Sequence, residues 1–307
     1  MAALSMARFR APPSKSPVGP IAFEDFDSLE AGHSHEFVSP ALLTPSPVPT
    51  PRRSHWVPCR ITRPRKDRFE LRAEDGAFML CARVVGAVCY VSTDEGFVST
   101  TQLPPPKHYA DARAAAQAAP KNAVAVVAPR EGRNKAPIFE LILVSAKRDK
   151  TRRPLCAVQP SSVWCDRQGA ELRRLAITLP ESAPTAHYTH DWNTPLPTAK
   201  SVALHSKLPV WNRQLGCLSL HFGRKRVRAS SSKNFLVYTT DALRDPKKRD
   251  DAEAAVFQLG KLAPKTFALD FRHPLSALQA FAVALAAFRV KHSRGVPRIS
   301  RAEAESN

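Results

Sequence analysis

Short apolar runs separated by turn-like breaks recur along the chain from Trp56 onwards. In the run 217–222, polar Ser219 and His221 alternate with three apolar residues, and a period of two is typical of a half-buried β-strand. Comparable runs occupy 78–83, 87–92, 123–128, 138–144, 172–179, 235–239, 255–259 and 267–271, with a weaker one at 201–204. About ten to twelve short strands without helices between them predict a mostly antiparallel sheet or barrel. One Ala-rich connection, 110–119, is the exception and predicts a short helix.

The segment 274–288 has a different pattern, because only Ser276 and Gln279 are polar after Pro274. Pro suits the first turn of a helix, and on a helical wheel every face of this segment is apolar. Such a helix must be buried on all sides or lie in lipid. At about 21 Å it is too short to span a bilayer. We therefore predict a central helix over 274–288 enclosed by a closed sheet, with a helix in an ordinary α+β core as the alternative.

Charge narrows the classes of partner. The chain carries 46 Lys and Arg against 27 Asp and Glu, a formal charge of +19. Residues 1–55 contain equal numbers of acidic and basic side chains, so the whole excess lies beyond them. A strongly basic surface favours nucleic acid, phosphorylated protein or an acidic membrane.

Composition also predicts the domain boundaries. Residues 1–55 hold nine of the 28 prolines and are predicted to be a disordered tail. The barrel domain is predicted over 56–290, and 291–307 is a basic extension. The acid-free start, Met1–Lys15, is also compatible with an organelle transit peptide.

Two blocks of residues resemble the carboxy-terminal domain of the tubby-like family. The first is Lys207-Leu-Pro-Val-Trp-Asn212, followed by Leu218–Phe222 and Ala229-Ser-Ser-Ser-Lys-Asn-Phe235. The second combines Phe257-Gln-Leu-Gly-Lys261 with the stretch from Phe267 to Phe288. Weaker likeness extends the match to roughly 57–290. The resemblance implies a barrel of about twelve strands around a central hydrophobic helix.

The resemblance also implies a function. Tubby-like proteins bind phosphoinositides, typically phosphatidylinositol 4,5-bisphosphate, and act as membrane-tethered adaptors or transcription regulators. We therefore expect a monomeric, non-enzymatic adaptor at the cytoplasmic face of the plasma membrane, with a nuclear pool as a further location. The Pro-rich tail is expected to recruit a protein partner.

The expected head-group site lies in the basic segment after the strand 138–144. The family's phosphate-binding Lys and Arg occur there, and the matching residues are Lys147, Arg148, Lys150, Arg152 and Arg153. Clustered Lys and Arg bind phosphate by charge-assisted hydrogen bonds. Taken without the resemblance, the segment is an ordinary solvated loop. One departure weakens the match, because Asp191 precedes Trp192 where the family often has Arg.

Other basic clusters are expected to be secondary. Arg224, Lys225, Arg226 and Arg228 form an auxiliary anionic-ligand surface, whereas the resemblance gives Lys233 and Asn234 a structural role. A third patch comprises Arg60, Arg63, Arg65, Lys66 and Arg68, and a fourth spans 289–301.

No catalytic motif, metal-ligand set or cofactor loop is visible in the sequence. The six Cys form no Cys-x-x-Cys pair, which disfavours a zinc ribbon. The alternative function is a nucleic-acid-binding or transcription-linked regulator that uses the same basic surface. A lipid scramblase, which resembles the family in fold, is a third class.

Overall fold

The computed structural model describes residues 56–97, 103, 112–131, 137–144, 154–165, 170–180, 201–214, 217–223, 226–289 and 298–299. The predicted tail 1–55 and nearly all of the predicted extension 291–307 lie outside these residues. The strands are β1 Val57–Arg65, β2 Arg68–Ala73, β3 Phe78–Val85, β4 Val88–Ser92, β5 Ala125–Glu131, β6 Pro137–Leu143, β7 Cys156–Cys165, β8 Ala170–Leu179, β9 Val202–Ser206, β10 Val210–Asn212, β11 Cys217–Ser219, β12 Phe235–Thr239, β13 Phe257–Ala263, β14 Thr266–Phe271 and β15 Arg298–Ile299. The helices are α1 Ala112–Gln117, α2 Thr240–Arg244, α3 Pro246–Arg249 and α4 Ala277–Arg289, with a 3-10 turn at Ala252–Ala254.

Twelve of the strands close into an antiparallel barrel, which confirms the predicted fold class. Strands β1 to β9 pair with their neighbours in chain order, and β9 then pairs with β12. The ring is completed by β13 and β14, and β14 returns to β1, where Ile61 lies opposite Phe267. Closure of this kind leaves the ring without an unpaired edge. Outside the ring, β10 and β11 form a separate hairpin and β15 pairs in parallel with β7.

Helix α4 fills the barrel, as its all-round apolar pattern predicts. All of its residues except Gln279 and Arg289 are buried. They pack against inward-facing strand residues, for example Leu269 of β14 and Ile61 of β1, in one continuous core. Full burial of a Leu or Phe side chain stabilises a fold by about 1.5–3 kcal/mol. The helix therefore completes a core that the strands alone would leave open.

The helix begins at Ala277, three residues after the predicted start at Pro274. The cause is a reciprocal cap. The Gln279 N–H donates to Ser276 Oγ at 3.3 Å, and the Ser276 N–H donates to Gln279 Oε1 at 2.9 Å. A hydroxyl at the cap with Gln at the third helical position satisfies otherwise unpaired donors, so Ser276 sets the boundary. No helix in the described part of the chain is long and apolar enough to cross a membrane.

Two smaller clusters cover the outside of the barrel. Helix α1 lies within the predicted 110–119 segment, and Ala112 and Ala115 are buried against the outer faces of β4 and β5. The predicted strand 217–222 is shorter than expected, since β11 ends at Ser219 and lies outside the ring. Beyond it, Leu220 and Phe222 pack on the outer cluster around Trp56. Apolar alternation here therefore marks a segment that covers the wall from outside.

Candidate functional site

The predicted head-group residues belong to the connection between β6 and β7. Lys147, Arg148, Lys150, Arg152 and Arg153 themselves lie outside the described residues. The chain is fixed on both sides of them. The Val144 N–H donates to the Val124 carbonyl at 2.9 Å, and the Leu155 N–H donates to the Leu141 carbonyl at 2.7 Å.

The start of α4 supports the same connection. The Gln279 side chain donates from Nε2 to the Leu155 carbonyl at 2.9 Å. Because Gln279 also caps α4, this one side chain links the start of the helix to Leu155, the residue immediately before β7. Val144 and Leu155, which flank the connection, therefore both lie at the barrel end where α4 starts.

Several carboxylates at this end of the barrel are used by the fold. Asp245 and Asp251 accept the N–H groups of Lys247 and Glu253 at 2.9 and 2.8 Å. Asp250 accepts from Lys207 Nζ at 2.9 Å, and the hydrogen bond and charge of Lys207 lower the pKa of that carboxyl. Three of the five acidic side chains of the segment 240–254 are therefore engaged in contacts within the fold.

Arg226, predicted as part of the auxiliary surface, is held in the barrel wall. Its Nη1 donates to Asp270 Oδ1, and its Nη2 donates to the Cys59 carbonyl at 3.2 Å. Its Nε lies 3.7 Å from Glu74 Oε1, and only 18% of its side chain is exposed. Arg224 and Lys225 lie outside the described residues, and the backbone N–H of Arg228 donates to the Lys261 carbonyl at 3.0 Å.

The structure gives Lys233 and Asn234 contacts that match the structural role implied by the resemblance. Asn234 accepts the Lys261 N–H at 2.9 Å and donates to the Ala229 carbonyl at 2.9 Å. Lys233 Nζ donates to the carbonyls of Ala287 and Phe288 at 3.2 and 3.4 Å. A cation on the last carbonyls of a helix is favourable. Lys233 thus caps the other end of α4.

Comparison with known families settles what the barrel is. The family model described as the Tub family matches residues 123–290, more than half of the chain. That stretch contains β5 to β9, the β10–β11 hairpin, the last barrel strands and the whole of α4. The chain belongs to the Tub family.

Curated relatives of this Tub-family chain come from animals and plants. Tubby-related protein 1 of Mus musculus is 41% identical over 87 residues, which cover 28% of this chain and 14% of that protein. Tubby-like F-box protein 2 of Arabidopsis thaliana is 39% identical over 100 residues, covering 32% and 25%. Tubby-like F-box protein 5 of Oryza sativa subsp. japonica is 42% identical over 92 residues, covering 29% and 21%. The matches therefore span a quarter or less of each relative.

The third and fourth basic patches of this Tub-family chain divide between exposed and enclosed residues. Arg60, Arg65 and Lys66 are exposed. Arg63 is half-buried, and its Nη2 donates to the Lys66 carbonyl at 2.8 Å. Arg289, at the end of α4, donates to the Gly86 carbonyl at 2.6 Å. Most of 290–301 and the Asp191-Trp192 pair lie outside the described residues.

Arg173 of β8 is a charged residue that sequence reasoning missed. It shares the phase of Leu175 and Ile177, which belong to the core around α4. Because alternate residues of a strand share a face, Arg173 points towards the inside of the barrel. Burial lowers the pKa of its guanidinium. Leu175 and Ile177 face inwards, so the period of two already places Arg173 on the inward face of β8.

Proposed function

We propose that this chain is a phosphoinositide-binding, membrane-associated adaptor or regulatory protein with no enzymatic activity. The observation that carries the proposal is the anchoring of the chain on both sides of one basic segment. Five of the seven residues from Lys147 to Arg153 are Lys or Arg, and both flanks of their connection are hydrogen-bonded at the end of the barrel where α4 starts. Membership of the Tub family supports the same assignment.

The chemistry of the segment suits a phosphorylated head group. Arg supplies a planar pair of donors to one phosphate, and Lys supplies a compact charge. Each well-placed basic residue near an acidic leaflet adds about 1 kcal/mol of binding free energy. Lys150, Arg152 and Arg153 are the central ligands of the proposal, with Lys147 and Arg148 beside them. The preferred lipid is phosphatidylinositol 4,5-bisphosphate, and Asp191 is the residue proposed to alter selectivity.

The proposal also includes a location and a partner. Head-group binding would place the chain at the cytoplasmic face of the plasma membrane, as a monomer held by charge. The Pro-rich segment 1–55, which is electrically neutral, would leave the membrane contact to the barrel and recruit a protein partner.

Vesicle binding at physiological salt tests the site. Wild type, Lys150→Ala/Arg152→Ala and the charge-matched Arg213→Gln/Lys247→Gln are compared on vesicles with and without phosphatidylinositol 4,5-bisphosphate. Arg213 and Lys247 are exposed, and both lie outside the β6–β7 connection that contains the basic segment. Loss of two head-group contacts should weaken binding about thirtyfold, whereas the control pair should bind as wild type does.

Two results would overturn the proposal. Equal losses in both double variants would mean that diffuse charge, rather than this segment, holds the membrane. Tighter binding to duplex DNA than to any vesicle in the same buffer would favour the nucleic-acid-binding alternative.

A further inference from the structure

Four basic side chains surround the end of the barrel where α4 finishes. We call Arg63, Arg173, Lys233 and Arg289 the cationic mouth. On β1, Arg63 shares the phase of Cys59 and Ile61, which belong to the core around α4. Arg173 shares the inward phase of β8, so both guanidinium groups enter the opening from the wall. Lys233 and Arg289 enter it beside the last turn of the helix.

An aromatic layer forms the floor of the cationic mouth. The ring of Phe288 lies 5.3 Å from that of Phe69 and 4.8 Å from that of Phe267, measured between centroids. Two of the cations stand on this layer. The Arg63 guanidinium carbon is 5.1 Å from the Phe69 ring centre, and Lys233 Nζ is 5.9 Å from that of Phe288. The floor keeps water from the inner side of the charges, which strengthens their fields.

The four cations repel one another without full compensation. Burial, then the charges of Arg173 and Arg63, lower the pKa of Lys233 to about 8. Burial and the charge of Arg289 lower the pKa of Arg63. The opposing carboxylates are Asp67, near Arg63, and Glu171, near Arg173.

Buried donors in the mouth also lack partners. Arg63 Nε, Arg173 Nη1 and Arg289 Nε are buried, and none has a hydrogen-bond acceptor among the described residues. Within that part of the chain no ion pair joins any of the four cations to a carboxylate. Buried polar groups are nearly always hydrogen-bonded, so these donors are expected to receive an acceptor from solvent or from a ligand.

Capping of the helix explains only half of the cluster. Lys233 reaches the last carbonyls of α4, and Arg289 lies in its last turn, where positive charge is favourable. Arg63 and Arg173 come from the wall. Arg63 donates to the Lys66 carbonyl of the β1–β2 turn, and among the described residues neither guanidinium donates to a helix carbonyl. Convergence of two further cations on two that already satisfy the helix end is costly in a fold without an anion.

We propose that the cationic mouth binds a compact phosphate-bearing anion, at a site separate from the β6–β7 connection. A phosphate group offers several acceptor oxygens and more than one negative charge, which match two guanidinium forks and an ammonium group. A phosphorylated lipid head group and a free phosphate compound share this chemistry.

Calorimetric titration of the full chain with pyrophosphate tests the site. The background is Lys150→Ala/Arg152→Ala, so that the segment of the proposed function does not contribute. Addition of Arg63→Gln/Arg173→Gln should weaken pyrophosphate binding at least about tenfold. Addition of the exposed pair Arg213→Gln/Lys247→Gln should leave it unchanged.

The outcomes are distinct from those of the proposed function. Absence of pyrophosphate binding in the background variant, or equal binding with and without Arg63→Gln/Arg173→Gln, overturns the cationic mouth as a site. Vesicle binding by Lys150→Ala/Arg152→Ala bears only on the β6–β7 segment. A second variant, Arg63→Lys/Arg173→Lys, keeps the charge while it removes the forks, and should show an intermediate affinity.

One further arm identifies the source of the phosphate. Arg63→Gln/Arg173→Gln is placed in the otherwise unaltered chain and tested on vesicles containing phosphatidylinositol 4,5-bisphosphate. Weaker vesicle binding assigns a lipid head group to the mouth. Unchanged vesicle binding together with lost pyrophosphate binding assigns it to a soluble phosphate compound.

Discussion

Replacement of Arg226 by Met should destabilise the barrel and leave vesicle binding unchanged. Asp270, its partner, lies on β14 with 2% of its side chain exposed. The Arg226 side chain crosses from the segment before β12 to reach that carboxylate and the Cys59 carbonyl of β1. Met keeps the length of the apolar stem but removes the charge and both donors.

The expected loss in unfolding free energy follows from the burial of Asp270. Removal of one partner from a buried ion pair costs about 3–5 kcal/mol, because the remaining charge stays desolvated. The contact with Glu74 adds little, since that carboxylate is 58% exposed and such pairs contribute about 0–1 kcal/mol. We expect a loss near the lower limit, about 3 kcal/mol. Asp270→Asn in the same chain should recover part of it, with a coupling of about 0.5–3 kcal/mol.

Urea unfolding followed by tryptophan fluorescence measures the loss, and vesicle binding is measured on the same samples. With the slopes usual for proteins, a loss of this size shifts the midpoint by about 1 M or more. An unchanged midpoint together with weaker vesicle binding would refute the reasoning. Arg226 would then act at the auxiliary anionic surface that the sequence predicted.

Three further predictions concern the wall, the core and the cationic mouth. A Cβ at Gly260 would overlap the Cγ2 methyl of Val227, so Gly260→Ala should cost about 1–3 kcal/mol. In the Gly260→Ala chain, Val227→Ala should restore thermal stability, because it removes the methyl groups that the new Cβ meets. An unchanged melting temperature of Gly260→Ala alone would contradict this overlap. Phe281→Ala should lower the free energy of unfolding by about 3–5 kcal/mol, with Phe281→Leu as the milder control; a loss below about 1 kcal/mol would contradict a filled barrel. Because the folded pKa of Lys233 is about 8 and its ordinary value is 10.5, its unfavourable charge is relieved as pH rises from about 8 to 10.5. The stability of wild type relative to Lys233→Met should increase over that interval, by on the order of 3 kcal/mol at most, and a flat difference would contradict the shift.

The fold was largely predictable because its central feature is a local pattern. An all-round apolar segment such as 275–288 has few stable environments, and the closed barrel confirms the environment that was predicted. Strands β1, β2 and β7 were harder to see. Many of their outward residues are polar, such as Arg60 of β1, Glu70 of β2 and Gln159 of β7, and Pro160 lies within β7, although a strand tolerates Pro where its donor is not needed.

The site was less predictable, since it depends on contacts between distant segments. The basic character of Arg226 is visible in the sequence, but its partner Asp270 is 44 residues away along the chain and is brought close only by the fold. Arg63 and Arg173 converge only because β1 and β8 belong to the same ring. The head-group assignment for Lys147 to Arg153 stays a prediction for the vesicle experiment to decide.

The pairing of β1 with β14 sets the order in which the chain can mature. Ile61 must wait for Phe267, and at about 5–20 residues per second the intervening chain takes roughly 10–40 s to synthesise. The helix that fills the lumen is made later still. Until then the first strands have neither a closing neighbour nor a filled core, and only their pairing with one another holds them. A product that terminates before Thr266 therefore lacks both the closing strand and the helix, and it stays an open sheet without a filled core.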